Sequence, residues 1–491
     1  MATPNQSATA SSAVRARTSD APLASESLKQ VFEALRAGHR AEPNPSYEVR
    51  MQRLDALQRG VLKHKDELVE AVRADFGNRS RHETILAEVF SLLSEIKHLK
   101  KHLKGWMKPR SRAVALTFQP ASAKVIYQPL GVVGVIAPWN YPFQLALGPT
   151  AAALAAGNRV MVKPSELTPR TAELIDKVLS EAFGKDLVAV VQGAAEVGAA
   201  FSALPFDHLL FTGSTKLGRL VMKAAAENLT PVTLELGGKS PCIVHESFPV
   251  QKAAERIAYG KCFNAGQTCI APDYLLVPRA MVAPLTEALQ AAVKHYYPTL
   301  GDNADYTAVV NSRHYERLQG LLEDAKKRGA KVVECNPGGE TLDPAKHKLA
   351  PTLLLDVNDE MAVMQEEIFG PLLPIVPYDT LEQAIAYVND RPRPLALYYF
   401  DHDGGRADDV LSRTTSGGAC VNETIMHFAV EDLPFGGVGP SGMGAYHGPE
   451  GFETFSHKKA VFQQSRLNGA GLIAPPYGDR INKMLKMLVG G

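Results

Sequence analysis

The 491-residue sequence is short of cysteine, balanced in charge and without a long uninterrupted apolar run. Its five cysteines (Cys242, Cys262, Cys269, Cys335 and Cys420) are an odd number, widely scattered. That excludes a disulfide framework and fits a reducing compartment. No C-x-x-C or H-E-x-x-H motif occurs, and Cys262 and Cys269 lack the spacing of metal ligands, so no metal is expected. A formal net charge of +1 offers no global attraction to nucleic acid or to an acidic partner. The first 22 residues are rich in Ala, Ser and Thr, with Arg15 and Arg17 and no acid before Asp20, yet lack the apolar segment of a secretory signal. A disordered tail over residues 1–24 and a cytoplasmic location are the expectations. Residues 145–157 are apolar but too short to span a membrane, and Pro149 interrupts them, so they read as a buried helix. At the other end, Ile481, Met484, Leu485 and Leu488 fall at i, i+3, i+4 and i+7 between Arg480, Lys483 and Lys486. Such a stripe is expected to dock on the protein, with weak membrane-surface association as the alternative.

Between those ends the pattern is ordered. Residues 28–103 read as helical, with Leu92, Leu93, Ile96, Leu99 and Leu103 on one apolar face. The basic run from Lys97 to Arg112 has no aromatic interleaving and is read as a solvated helix face. Residues 114–118 and 124–127 read as two short extended segments. After them Val132-Val133-Gly134-Val135-Ile136 is continuous, apolar and β-branched, the mark of a strand buried on both faces. Strand-like and helix-like segments then alternate through residues 159–162, 171–183, 187–192, 196–203, 208–211, 216–227 and 232–236. This predicts an α/β fold built on a parallel sheet with right-handed crossovers. A second α/β pattern follows from Pro241 to Pro377. Residues 435–451 read as a glycine-rich loop and 454–461 as a last extended segment.

Chemistry is expected at the carboxyl ends of the strands, where α/β sheets bind ligands. Asn140, Lys163, Glu166 and Gly213-Ser214 stand there. A glycine and a hydroxyl opening a helix present free N–H groups to a phosphate, and Glu166 is placed to bind an adenosine ribose. The layout is that of a dinucleotide site, although a first-turn G-x-G-x-x-G is missing. Gly213 to Gly218 begins like a P-loop, but Arg219-Leu220 replaces the required Lys-Ser/Thr. Gly437 to Gly442 matches G-x-G-x-x-G literally but follows no strand of a βαβ unit and contains Pro440. Glu235 ends a strand among leucines, where a carboxylate must be hydrogen-bonded, neutral or functional. It is read as a general base raised by burial, with a loop-capping glutamate as the alternative. Cys269 closes the polar loop Gly266-Gln267-Thr268 behind an apolar helix-like run. A buried inert thiol packs inside apolar periodicity, and this setting instead suits a nucleophile.

With these residues in view, the sequence resembles the aldehyde dehydrogenase superfamily from about Leu28 to Pro476. The carrying motifs are Pro138-Trp139-Asn140-Tyr141-Pro142, Lys163-Pro164-Ser165-Glu166, Phe211-Thr212-Gly213-Ser214-Thr215, residues 234–239, residues 266–269 and residues 367–371. Ala271-Pro272-Asp273-Tyr274, Ser240-Pro241-Cys242 and the run 441–448 resemble the class-3, fatty-aldehyde and coniferyl-aldehyde branch. The resemblance implies a Rossmann-like NAD-binding domain (25–108 and 132–235), a catalytic domain (236–439), a bridging β element (109–131 and 440–466) and a C-terminal amphipathic tail (467–491). It implies that Cys269 attacks the aldehyde, that Asn140 and the Cys269 N–H hold the oxyanion, and that Glu235 activates the hydrolytic water. It assigns Trp139, Lys163, Glu166, Gly213, Ser214, Glu367 and Phe369 to the cofactor: NAD, with NADP tolerated in this branch. A small aldehyde as substrate and a homodimer complete the expectation, with coniferyl-type phenylpropenals favoured over medium and long aliphatic aldehydes. A CoA-acylating enzyme is disfavoured by Glu235, and a crystallin-like scaffold by the joint presence of Cys269, Glu235 and Asn140.

Overall fold

The β-branched run at Val132–Ile136 becomes the central strand of a six-stranded sheet, with every one of its residues buried. In this computed structural model, which describes residues 21–490, the chain starts in the middle of that sheet. It adds Arg159–Lys163 and Val188–Val190 on one side, then crosses back to add His208–Thr212 and Val232–Glu235 on the other. These strands pair in parallel. The reversal of direction opens a crevice at the carboxyl ends of Val132–Ile136 and His208–Thr212, next to Asn140 and Gly213.

A seven-stranded sheet forms the second layer system, in the order Lys331–Glu334, Thr352–Leu355, Leu372–Tyr378, Tyr274–Pro278, Pro241–Val244, Ala396–Phe400 and Gly418–Val421. Only its first pair is antiparallel. Arg110–Arg112, Ser122–Pro129 and Ser456–Gln463 form a separate antiparallel three-stranded sheet. The helix Gln144–Ala155 is buried at every position, Pro149 included. It packs between Ser91–Trp106 and Tyr47–Phe76. Among the described residues no helix is long and apolar enough to cross a membrane.

Several boundaries differ from the sequence expectation. The expected extended segment at 114–118 is instead a 3₁₀ turn at Leu116–Phe118, and the strand lies earlier, in the polar stretch Arg110–Arg112. Leu116 is 88% exposed, so its apolarity signals no core face, and pairing to Ser122–Pro129 selects the strand through backbone alone. The glycine-rich 435–451 is not all loop. Gly442–Met443 pairs antiparallel with Leu234 and Glu235, extending the six-stranded sheet, and Gly448–Thr454 is helical. The last extended segment runs Ser456–Gln463 rather than 454–461. In the amphipathic C-terminal helix Asp479–Val489 only Ile481 is buried; Leu485 and Leu488 stay exposed, so the expected docking is confined to one side chain. The tail assigned to 1–24 lies, up to residue 20, outside the described residues, and the first helix, Ala21–Ala41, begins within it.

The loop before Cys269 is held by backbone that few residues tolerate. Asn264, Ala265 and Gly266 follow one another at φ +53°, +51° and +73°. A Cβ on Gly266 would overlap the Gly370 carbonyl. Gly266→Ala is therefore expected to cost about 1–3 kcal/mol from conformation and crowding together. The check is a lowered unfolding midpoint in urea, with activity lost in proportion to the displacement of Cys269.

Candidate active site

Cys269 lies in a turn between the helix Val250–Cys262 and the strand Tyr274–Pro278, partly exposed to a cavity of about 230 Å³. Glu235, Thr212, Thr268, Tyr141, Gln144 and Tyr446 line the same cavity. Aromatic and aliphatic walls come from Phe90, Tyr259, Phe263, Ile425, Phe428 and Phe435.

The turn is clamped by an amide whose two N–H groups and oxygen are all hydrogen-bonded. Gln267 is fully buried; its Nε2 donates to the Asn264 and Ala308 carbonyls at 3.0 Å each, and its Oε1 accepts the Val310 N–H at 2.9 Å. Beside it Asn140, 3% exposed, donates one Nδ2 hydrogen to the Gln267 carbonyl at 3.2 Å. A primary amide has two hydrogens, and the second is free for a ligand oxygen. Asn140 is itself fixed through its carbonyl, which accepts from Arg79 Nη1 at 2.8 Å and from Asn264 Nδ2 at 3.2 Å. Arg79 lies between the rings of Phe76 and Tyr141, at 5.0 and 4.9 Å. Glu83 accepts the Asn264 N–H at 3.1 Å and the Thr307 hydroxyl at 2.6 Å. Sequence reasoning missed this Arg79–Glu83–Thr307 support, because its members sit in polar stretches with no local pattern and meet only in three dimensions.

Burial pushes the Cys269 thiol up, and the Glu367 and Glu235 carboxyls push it further; the N–H groups of Cys269 and Ile270 at the sulfur act against them. The resting group is a thiol, and a base is needed to make it a nucleophile. Glu235 is 2% exposed and neither carboxyl oxygen has a hydrogen-bond partner, so it caps no loop. Burial alone holds it well above the carboxylate range, favouring the protonated form, which must lose its proton before it could act as a base.

The remaining predicted residues lie outside the lining of that cavity. Lys163, 3% exposed, donates to Glu166 at 3.1 Å and to the Pro164 carbonyl at 3.3 Å. Gly213 and Ser214 precede the helix Thr215–Ala226, with the Ser214 hydroxyl accepting the Leu217 N–H at 3.4 Å as its cap. Glu367 faces bare backbone: a Cβ on Gly237 would overlap both its oxygens, and Gly238 N–H donates to it. Its Oε1 has no partner, and burial followed by Asp273 pushes it up to about 8. Phe369, at φ +50°, meets Trp139 edge-on at 5.3 Å. Trp139 in turn contacts His314 at 4.8 Å. Among the described residues no cluster of His, Cys, Asp and Glu could hold a metal ion.

This arrangement has known counterparts. The chain is 56% identical over 461 residues to a protein of Pseudomonas aeruginosa named probable coniferyl aldehyde dehydrogenase, covering 94% of this chain and 96% of that one. The substrate-bound AldH of Staphylococcus aureus superposes with a TM-score of 0.89 at 39% identity, over 94% of this chain and 99% of its own. A Mycobacterium tuberculosis aldehyde dehydrogenase complexed with NAD+ gives a TM-score of 0.80 at 30% identity, over 89% of this chain and 90% of its own. The model of the aldehyde dehydrogenase family matches residues 8–461, and the chain belongs to that family.

Proposed function

We propose that this aldehyde dehydrogenase oxidises phenylpropenals such as coniferyl aldehyde to the corresponding acids through a covalent intermediate on Cys269, using NAD. The observation that carries the reaction is the sharing of one apolar cavity by Cys269 and the unpaired carboxyl of Glu235. The Cys269 sulfur adds to the aldehyde carbon as its proton leaves to a base, giving a thiohemiacetal. The oxyanion takes the second Asn140 amide hydrogen and the Cys269 backbone N–H. Loss of hydride leaves a thioester on Cys269. Glu235 then removes a proton from water as the water attacks the thioester carbon, and the acid departs with the sulfur restored as leaving group.

The residues of the crevice fit a nicotinamide dinucleotide. The orphaned Glu367 oxygen beside Gly237 suits a ribose hydroxyl, the N–H groups opening Thr215–Ala226 suit a pyrophosphate, and the Lys163–Glu166 pair suits the adenosine ribose. Bound NAD supplies the hydride acceptor. Trp139 and Phe369 form the aromatic wall at that end. Glu166 opposes a 2′-phosphate by like charge, which favours NAD over NADP.

The relative's name supports an aromatic substrate, and the ring-rich lining suits a flat one. Medium and long aliphatic aldehydes are the second reading. They are favoured by the largely apolar cavity and by Leu86 and Phe90, exposed by 51% and 61% at its edge. Initial rates with coniferyl aldehyde and decanal, at matched sub-saturating concentrations with NAD, separate the two. A higher slope with coniferyl aldehyde is expected, and the reverse order overturns the aromatic assignment. A homodimer fits the three-stranded sheet, whose outer strand Ser456–Gln463 is an unpaired edge beside exposed Phe118 and Phe462. Five free thiols fit a cytoplasmic location.

A further inference from the structure

Part of the cavity lining is polar and has no task in the chemistry. Gln144, 2% exposed, lines the cavity with its Oε1 unpaired. Tyr446 is fully buried, and its hydroxyl also lacks a partner. Glu431 lines the cavity as well and accepts a hydrogen bond from Ser94, another lining residue. Behind them Glu95 is buried with Oε2 unpaired. The position of a Cβ on Gly148 lies 2.6 Å from that oxygen and 3.1 Å from Gln144 Nε2, so a bare glycine makes room for both groups.

Buried polar groups left unpaired are costly to the fold. Several of them converging on an otherwise apolar cavity are the pattern of a site whose missing partners belong to the ligand. Leu86, Ala87, Phe90, Ser91 and Ser94 form one wall, at the spacing of a helix face. That face runs from the π-helical turn Ile85–Phe90 into the helix Ser91–Trp106, an elongated wall that suits a rod-shaped C6–C3 aldehyde. Gln144, Tyr446 and Glu431 line the same cavity as Cys269 and Glu235, so the polar cluster and the reacting groups share one space.

We propose that Glu431, with Gln144 and Tyr446, recognises a neutral hydroxyl at the far end of the substrate and selects 4-hydroxylated aromatic aldehydes. The proposal rests on the aromatic reading above and deepens it. Glu431 and the Gln144 oxygen accept, so the ligand must donate, and a phenol does. An aliphatic aldehyde brings no donor, and a 4-O-methyl ether keeps the shape but loses the hydrogen. Glu431, once ionised, disfavours a substrate that carries its own anion there. Burial pushes Glu431 up to about 7 despite its Ser94 hydrogen bond, in keeping with its apolar setting.

The test compares kcat/KM for coniferyl aldehyde, its 4-O-methyl ether and decanal, with NAD, in the wild type, Glu431→Leu and Glu431→Gln. The wild type is expected to prefer the phenol to the ether. Glu431→Leu should shrink that preference about 10–100-fold, as for loss of a hydrogen bond to a charged group. Glu431→Gln keeps an acceptor and should hold an intermediate ratio. A ratio of two substrates on one preparation does not depend on the fraction folded. An unchanged phenol-to-ether ratio in both variants overturns the role of Glu431 and leaves the aromatic reading standing. A wild type that prefers decanal to both aromatic aldehydes overturns both.

Discussion

Cys269→Ala is expected to lower kcat/KM by at least about 10⁴-fold, because no other thiol of the described residues lines the cavity with Glu235. The substitution should leave the fold unmoved. The sulfur meets the N–H groups of its own turn, and that turn is fixed by Gln267, Asn140 and Asn264 rather than by the thiol. Reduced-cofactor fluorescence and the thermal midpoint, measured on the same preparation, separate lost chemistry from lost folding. Cys262→Ala is the informative contrast: its thiol is buried in the core, pushed up by burial and outside the cavity lining. It should cost stability and keep turnover. Substantial activity in Cys269→Ala would remove the covalent mechanism altogether.

Glu235→Gln is expected to separate the two halves of the reaction. The amide fills the same space but accepts no proton from water. One equivalent of reduced cofactor should therefore appear per site in a burst, followed by a steady state slowed by about 10²–10⁴-fold. Absence of the burst would place Glu235 in formation of the thiolate as well. In the wild type deacylation should rise with pH as the raised Glu235 carboxyl loses its proton; in the variant that rise should vanish. Stability points the other way. The wild-type carboxyl makes no hydrogen bond, so its replacement breaks none and relieves the cost of a buried ionisable group. An unfolding midpoint equal to or above the wild type is expected, and a clear drop would reveal a partner for Glu235.

What was legible in the sequence divides by the range of the interactions involved. Val132–Ile136 and Arg159–Lys163 are continuous apolar runs because both faces of a parallel sheet are covered, and one segment suffices to see that. Glu235 stood out because a carboxylate among leucines demands a reason, and Cys269 because its approach is polar. Arg110–Arg112 was invisible, since an exposed strand is chosen by its partner's backbone and needs no alternation. Gly442–Met443 was read as loop because two residues carry no period at all. The cavity wall could not be read either. Ser94 and Glu431 face one cavity from opposite parts of the chain, and nothing local in either stretch refers to the other.

The buried acids have a consequence for the protein's charge. The formal value of +1 counts every carboxyl as ionised. Burial holds Glu95 and Glu235 well above the carboxylate range, and Glu367 is pushed up to about 8. The native molecule therefore carries protons at neutral pH that the unfolded chain does not. It should migrate in an electric field as more basic than its composition. Unfolding near pH 7 releases those protons, so the stability these groups confer is complete below the ordinary carboxylate pKa and drains away as pH rises through their folded values. These buried acids thus make the whole fold a store of protons, emptied when the chain comes apart.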